Sequence, residues 1–389
     1  MPPSSARSPR TTRSSPRCRR SRPKDTELRS LPDFPWDRLA PFGDLARRHP
    51  GGIIDASIGT PIDPTPAVAR EALIAASDAP GYPATYGTPA LREAVAAWFA
   101  RRRGVPDVDP DGVLPTLGSK ELVVWLPTLL GLGPGDVVVF PERAYPSYDV
   151  GARVAGATPL PADGVLSVEG SAGVKLIWVN SPSNPTGAVL GVAELAEVVA
   201  WARSIGAVVA SDECYAELGW DVAEVPSILD PRVCGGSHQG LLAVYSTSKQ
   251  SNLAGYRAAF VAGDVALMRQ LLEIRKHAGM MMPAPVQAAL AAVLRDDAHV
   301  AEQRERYRVR RDLALKAFTA AGFRIEHSQA GLYLWATRDE PCWDTVAWLA
   351  DRGVLVAPGE FYGAAASRHV RIALTITDAA ATHLPTRLA

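Results

Sequence analysis

The chain has 389 residues, 47% of them hydrophobic, enough for two or three units of ordinary domain size around substantial cores. Its 41 Lys and Arg balance 41 Asp and Glu, and a formal net charge of zero argues against a chain built to bind nucleic acid or an anionic membrane surface. No apolar run reaches the ~18 residues that a membrane-spanning helix needs.

Residues 1–30 carry nine Lys and Arg against two Asp and Glu, with many Ser and Pro and almost no apolar side chain. Such a stretch has nothing to bury, so it is predicted to be a disordered basic arm. It lacks the amphipathic stripe of an organellar transit peptide and the apolar core of a secretory signal. The cysteines Cys18, Cys214, Cys234 and Cys342 are widely spaced with no C-x-x-C pair, which suggests neither a zinc site nor a disulfide framework and makes a reducing cytoplasm the default location.

From Leu31 onward the pattern is that of a folded chain. PALREAVAAWFARRR sets Leu91, Val95, Trp98 and Phe99 on one face, the spacing of an amphipathic helix. Short apolar runs follow at 137–140, 175–179, 207–211, 241–246 and 260–263, with a helical stretch between two of them that Gly206 should end. Apolar runs without polar alternation suit strands buried on both faces, hence an α/β domain with a mainly parallel sheet. A helical stretch from about Val265 breaks near Pro283 and Pro285 and resumes from Val286. Alternating helices and strands then reach HVRIAL, and read as a smaller α+β unit. The division expected is 31–75 as an N-terminal segment joining the small domain, 76–280 as the large domain and 281–389 as the C-terminal small domain.

Two glycine-rich segments look like ligand loops and are read as turns. GLGPGD (131–136) lies between a helix and a strand, the reverse of the strand–loop–helix order of a dinucleotide site. GGSHQG (235–240) lacks the spacing of a nucleophile elbow.

The informative residues lie at strand ends. WVNSPSNPTG puts Asn184 in a turn between two prolines, SDECY puts Asp212 at the end of an apolar strand with Tyr215 three residues on, and YSTSKQSNLAGYR sets Lys249 among Ser246, Ser248 and Arg257. In α/β sheets ligands gather at the C-terminal ends of strands. Only six lysines occur in the chain, so a chemistry that needs an amine has few candidates.

In this order and spacing, NSPSNPTG, SDECY and STSKQSNLAGYR resemble the signature of the class I/II aminotransferases of the fold-type-I pyridoxal-phosphate family, over nearly the whole chain from Leu31. The resemblance implies a large domain with a mainly parallel seven-stranded sheet flanked by helices, plus a smaller α+β domain. It implies pyridoxal 5′-phosphate as cofactor, amino-acid and 2-oxo-acid substrates, and a homodimer with shared active sites. It identifies Lys249 with the family's Schiff-base lysine, Asp212 with the partner of the ring nitrogen, and Asn184 and Tyr215 with the donors to the ring's phenolic oxygen. The phosphate would sit at the helix start in TLGSKELVVW, on Gly118, Ser119 and Lys120, with Ser246, Ser248 and Arg257 completing the cup. Tyr145 matches the aromatic side chain stacked on the ring, and Tyr82 the tyrosine that reaches the neighbouring subunit's phosphate, with Tyr86 as a competitor. For the substrate, Arg371 matches the carboxylate-binding arginine, Asn184 stands beside it, and Gly59 matches the small residue that admits the substrate. No metal site is expected.

Within the family, GSKELVVWLPTLLGLGPGD, SNLAGYRAAFVAGD and GVLVAPGEFYG look most like succinyldiaminopimelate aminotransferases of actinobacteria. That implies N-succinyl-LL-2,6-diaminopimelate with 2-oxoglutarate and glutamate as substrates, in lysine biosynthesis. An aspartate, aromatic or LL-diaminopimelate aminotransferase, or a carbon–sulfur lyase on the same cofactor, stays open. A non-enzymatic regulator would need a helix-turn-helix that the short Pro-rich arm does not supply. Pro385 departs from the closing helix that the family pattern would place at the C-terminus.

Overall fold

A computed structural model describes residues 31, 32, 35–164, 168 and 172–389; the basic arm, residues 1–30, and Cys18 within it lie outside the described residues. The described strands are β1 (Ile54–Ala56), β2 (Val113–Leu117), β3 (Val137–Phe140), β4 (Thr158–Pro161), β5 (Val174–Asn180), β6 (Val208–Asp212), β7 (Leu241–Ser246), β8 (Ala258–Gly263), β9 (Arg324–Glu326), β10 (Tyr333–Thr337), β11 (Val354–Pro358) and β12 (His369–Ala373).

Seven of them form one sheet in the order β2-β8-β7-β6-β5-β3-β4, parallel throughout except for β8, which runs against both neighbours. Helices cover both faces, so the apolar runs of β7 and β8 are buried at every position. Helix Pro89–Arg103 shows why these segments fold as they do. Thr88 accepts a hydrogen bond from the Leu91 amide at 3.2 Å, Pro89 opens the first turn, and Gly104 ends it in the left-handed region at φ 66°. Its Leu91, Val95, Trp98 and Phe99 enter the core beneath the sheet. Helix Val192–Ile205 ends at Gly206, as the sequence predicts.

The five remaining strands form a second sheet, β1-β11-β12-β10-β9, parallel only between β1 and β11. Here Ile54 and Ala56, from the N-terminal segment, share a core with Phe318, Trp335, Val346 and Ile372. Helix Ala284–Arg295 starts two residues earlier than the sequence suggests, because Pro285 fits the first turn, where no amide partner is lost. Its Ala289, Leu290 and Val293 pack into the larger sheet's core.

The C-terminus corrects an expectation. Helix Asp378–Leu388 runs through Pro385, capped by Thr377, which accepts from the Ala380 amide at 3.0 Å. An internal proline costs about 3 kcal/mol. Leu384 and Leu388 are buried in the smaller core, at ~1.5–3 kcal/mol each, which offsets that loss.

Candidate active site

Parallel pairing sets Asn180 of β5 beside Asp212 of β6, and β7 ends one strand further on at Ser246. The chain therefore leaves three neighbouring strands at one edge, and each departure carries a polar group into a cavity of about 360 Å³. After β5, the Asn180 side chain ties the turn down: its Nδ2 donates to the Asp212 carbonyl at 2.9 Å, and its Oδ1 accepts from the Asn184 amide at 2.7 Å. That bond fixes where Asn184 points. At the end of β6, Asp212 is held by two donors, the Tyr148 hydroxyl at 2.9 Å and the Cys214 amide at 3.2 Å. After β7, Ser246 caps a short helical turn through the Ser248 amide, its hydroxyl donates to the Ser248 hydroxyl at 2.8 Å, and Lys249 follows, its Nζ donating to the Gly59 carbonyl.

The smaller sheet supplies the opposite wall. Trp335 pairs with Arg371 across β10 and β12, so Tyr333, two residues before Trp335, lies on the same face as Arg371 and diagonal to it. The Arg371 guanidinium accordingly lies 3.9 Å from the centre of the Tyr333 ring. Its Nη1 donates to Asn184 Oδ1 at 2.9 Å and its Nη2 to the Ser57 carbonyl at 2.8 Å. The Tyr333 hydroxyl lies 3.1 Å from that of Tyr215.

Burial sets the electrostatics. It pushes the Lys249 amine below the ordinary lysine value, and the nearby Arg371 and Arg257 cations push the same way. It pushes Asp212 up, against the hydrogen bonds from Tyr148 and Cys214 that favour the carboxylate. The Tyr215 hydroxyl is raised well above its usual value, again by burial first.

Three observations test whether a phosphorylated aldehyde fits. Arg371 is 3% exposed, and its Nε has no hydrogen-bond partner among the described residues, so a cationic edge is left for an anion. A Cβ at Gly118 would collide with the Arg257 guanidinium, so only glycine lets that cation close over the start of helix Ser119–Leu129. A Cβ at Gly59 would likewise strike the Tyr333 hydroxyl. With a buried amine and a buried carboxylate in the same cavity, the donor set matches pyridoxal phosphate.

Gly59, Ser119, Lys120, Tyr145, Asn184, Asp212, Tyr215, Ser246, Ser248, Lys249, Arg257 and Arg371 all line this cavity, and Gly118 abuts it through Arg257. Tyr82 does not line it: it is 97% exposed, in a segment without helix or strand. Tyr86 is engaged elsewhere, its hydroxyl donating to the Asp111 carboxylate at 2.9 Å. The two glycine-rich turns also lie apart, with His238 bonded to the Leu229 carbonyl. Sequence reasoning missed Tyr333, Tyr148, Asn180 and Trp36. Asn180 had a signal, as the last residue of an apolar strand; Tyr333, inside one, reads as core.

Residues 52–388 match the family model "Aminotransferase class I and II", and the chain belongs to that family. Pyridoxal phosphate is therefore its cofactor, and the protein is an enzyme that acts on amino and 2-oxo acids. It is 60% identical over 351 residues to 4-dedimethylamino-4-oxo-anhydrotetracycline transaminase OxyQ of Streptomyces rimosus, covering 90% of this chain and 97% of that one. It is also 60% identical over 349 residues to the probable aminotransferase Rv1178 of Mycobacterium tuberculosis, covering 90% and 83%. Among solved structures, an aminotransferase from Neisseria meningitidis superposes with a TM-score of 0.85 at 30% identity, over 94% of this chain and 99% of that one.

Proposed function

We propose that the enzyme exchanges an amino group between glutamate and the oxo acid of N-succinyl-LL-2,6-diaminopimelate. The observation that carries the chemistry is the placement of the buried Lys249 amine and the Arg371 guanidinium in one cavity. Support for the substrate is the likeness of motifs across the chain. A second reading, a bulkier polycyclic oxo acceptor, is favoured by the 60% identity to the tetracycline-pathway transaminase.

When bound, pyridoxal phosphate supplies the aldehyde carbon that takes the amine and the ring that accepts electrons from the α-carbon. The chain's own residues do the rest. Lys249, held towards its neutral form by burial, would hold the aldehyde carbon, and once the substrate amine has displaced it the freed amine would move a proton between the substrate α-carbon and the cofactor C4′. Asp212, oriented by Tyr148 and the Cys214 amide, would hold the proton of the ring nitrogen. Asn184 and Tyr215 would donate to the phenolic oxygen, while Ser119, Ser246, Ser248, Arg257 and the amides that follow Gly118 would hold the phosphate. Tyr145 would stack on the cofactor ring, and Lys120 Nζ lies 5.9 Å from the centre of the Tyr145 ring. Arg371 takes the substrate carboxylate, with Asn184 and the Ser57 carbonyl holding its fork. Tyr82, exposed on its own subunit, reaches the partner's phosphate in a homodimer. None of the residues proposed to hold the cofactor lies in residues 1–30.

A half-reaction screen tests the substrate. Single amino donors are mixed with the cofactor-loaded enzyme, and conversion of the cofactor to its amine form is followed by absorbance. Rapid conversion by N-succinyl-LL-2,6-diaminopimelate and glutamate is expected; conversion by glutamate alone would sink the succinylated substrate.

A further inference from the structure

Beside the site lies a larger cavity, of about 890 Å³, and the two share Trp36, Lys120 and Tyr145 in their walls. We infer that this second cavity is a subsite for the distal body of the substrate: a bulky, largely apolar group bearing a hydrogen-bond acceptor. The inference rests on the aminotransferase reading above and favours its second, polycyclic acceptor, because the distal end of N-succinyl-LL-2,6-diaminopimelate carries two carboxylates.

Volume is the first argument. At about 360 Å³, the inner cavity is near the lower end of the ~300–1,000 Å³ usual for ligand pockets. It has to hold the cofactor together with the substrate's α-carbon and carboxylate. A bulky side chain must leave it, and the shared residues mark the exit.

The second argument is the lining. Val150, Pro159, Pro161 and Phe140 give an apolar wall, and Trp36 stands 5.1 Å from Phe361, centre to centre. Two pairs of rim charges neutralise each other within the chain, Arg38 with Glu360 at 3.3 Å and Arg153 with Asp149 at 2.8 Å. These four groups therefore favour no net charge in the occupant.

The third is an unpaired donor. Tyr362 lines this cavity and is 2% exposed, yet its hydroxyl has no hydrogen-bond partner among the described residues. Buried hydroxyls are paired as a rule, and one without a partner beside an apolar cavity suits a ligand carbonyl or other acceptor. The Arg371 guanidinium lies 4.9 Å from the centre of the same ring, so one tyrosine spans the carboxylate end and the distal chamber.

The test uses the cofactor-loaded full chain with two donors, L-glutamate and Nε-benzoyl-L-lysine. Conversion of the cofactor band gives a half-saturating concentration for each. Val150→Trp fills the chamber, and should raise that concentration for benzoyl-lysine about tenfold or more while glutamate moves less than about twofold. Tyr362→Phe should raise it about three- to tenfold for benzoyl-lysine, and should leave the melting temperature of the cofactor-free protein unchanged or higher, since an unpaired hydroxyl is removed. Equal effects on both donors, or none on either, would overturn the subsite. So would a parent enzyme that converts glutamate but not benzoyl-lysine. An enzyme inert to both donors would overturn the aminotransferase reading along with it.

Discussion

The two sheets contribute to the site in opposite ways. In the seven-stranded sheet the functional groups come after the strands, where parallel chains turn back and leave polar backbone and side chains at one edge. In the five-stranded sheet they come from within antiparallel strands: Tyr333 and Arg371 sit among neighbours buried on both sides. A site at strand ends can vary its loops without disturbing the core. A site inside strands depends on register, because a one-residue slip would turn Tyr333 and Arg371 to the other face. The seven-stranded sheet therefore places the amine and carboxylate of the cavity, and on the proposed mechanism the register of the five-stranded sheet sets the angle of the Arg371 guanidinium.

Single changes on either side of that contrast should differ in size and in kind. The largest effect is expected from the strand-end side. Lys249→Ala should abolish the visible band of the lysine-linked cofactor and cut turnover by ~10⁴-fold or more, read by absorbance and single-turnover kinetics. A variant that keeps full activity would end the assignment of Lys249.

Next comes the clamp on the segment that carries Gly59. Arg310 takes Asp63 through two bonds of 2.8 and 2.7 Å and Asp378 through one of 2.7 Å. Arg310→Met leaves the Asp63 carboxylate without its cation, held by Gln303 alone at 2.8 Å, and should cost about 2–3 kcal/mol in urea denaturation. A loss under about 1 kcal/mol would show that the clamp is dispensable.

Arg371→Lys keeps the charge and loses the fork. A charge-assisted hydrogen bond is worth about 1.5–3 kcal/mol, so KM for amino donors should rise roughly 10- to 150-fold. A matching fall in cofactor affinity would show instead that the register of the strand had been disturbed.

Tyr333→Phe removes one hydroxyl from inside a strand, and about 0.5–1.5 kcal/mol is expected. The readout is the pH titration of the cofactor band, which should shift because Tyr215 loses its partner at 3.1 Å. An unmoved titration would make Tyr333 mere packing.

The smallest effect concerns stability. Because burial lowers Lys249, the unfolded chain binds the extra proton between the folded value and the ordinary value of ~10.4, and stability rises with pH across that window. Cofactor-free Lys249→Met should therefore melt above the parent at neutral pH, and the gap should close as pH rises towards 10–11. A gap independent of pH would mean that the amine is not the cause.

Much of this was legible in the sequence, and the contrast between the sheets says which parts. Lys249, Asp212 and Asn184 each follow an apolar run, so polarity appears abruptly where burial stops. Tyr333 offers no such step, since YLWAT is buried at every position. Tyr148 sits in a helix among other buried residues, and nothing local shows that its hydroxyl meets Asp212 across the core. Pro385 misled for a related reason: local propensity argued against a helix that tertiary burial of Leu384 and Leu388 sustains.

By itself, the sequence determined the alternation of buried strands and amphipathic helices, the family, and most of the polar groups that line the cavity. Those features are written in residue type and spacing along one segment at a time. Only the tertiary structure decided that Arg371 lies over Tyr333, that the Gly59 carbonyl receives Lys249, and that a larger chamber opens beside Trp36. Each of these joins residues from distant parts of the chain, and their distances follow from sheet register and domain packing, which no local pattern encodes.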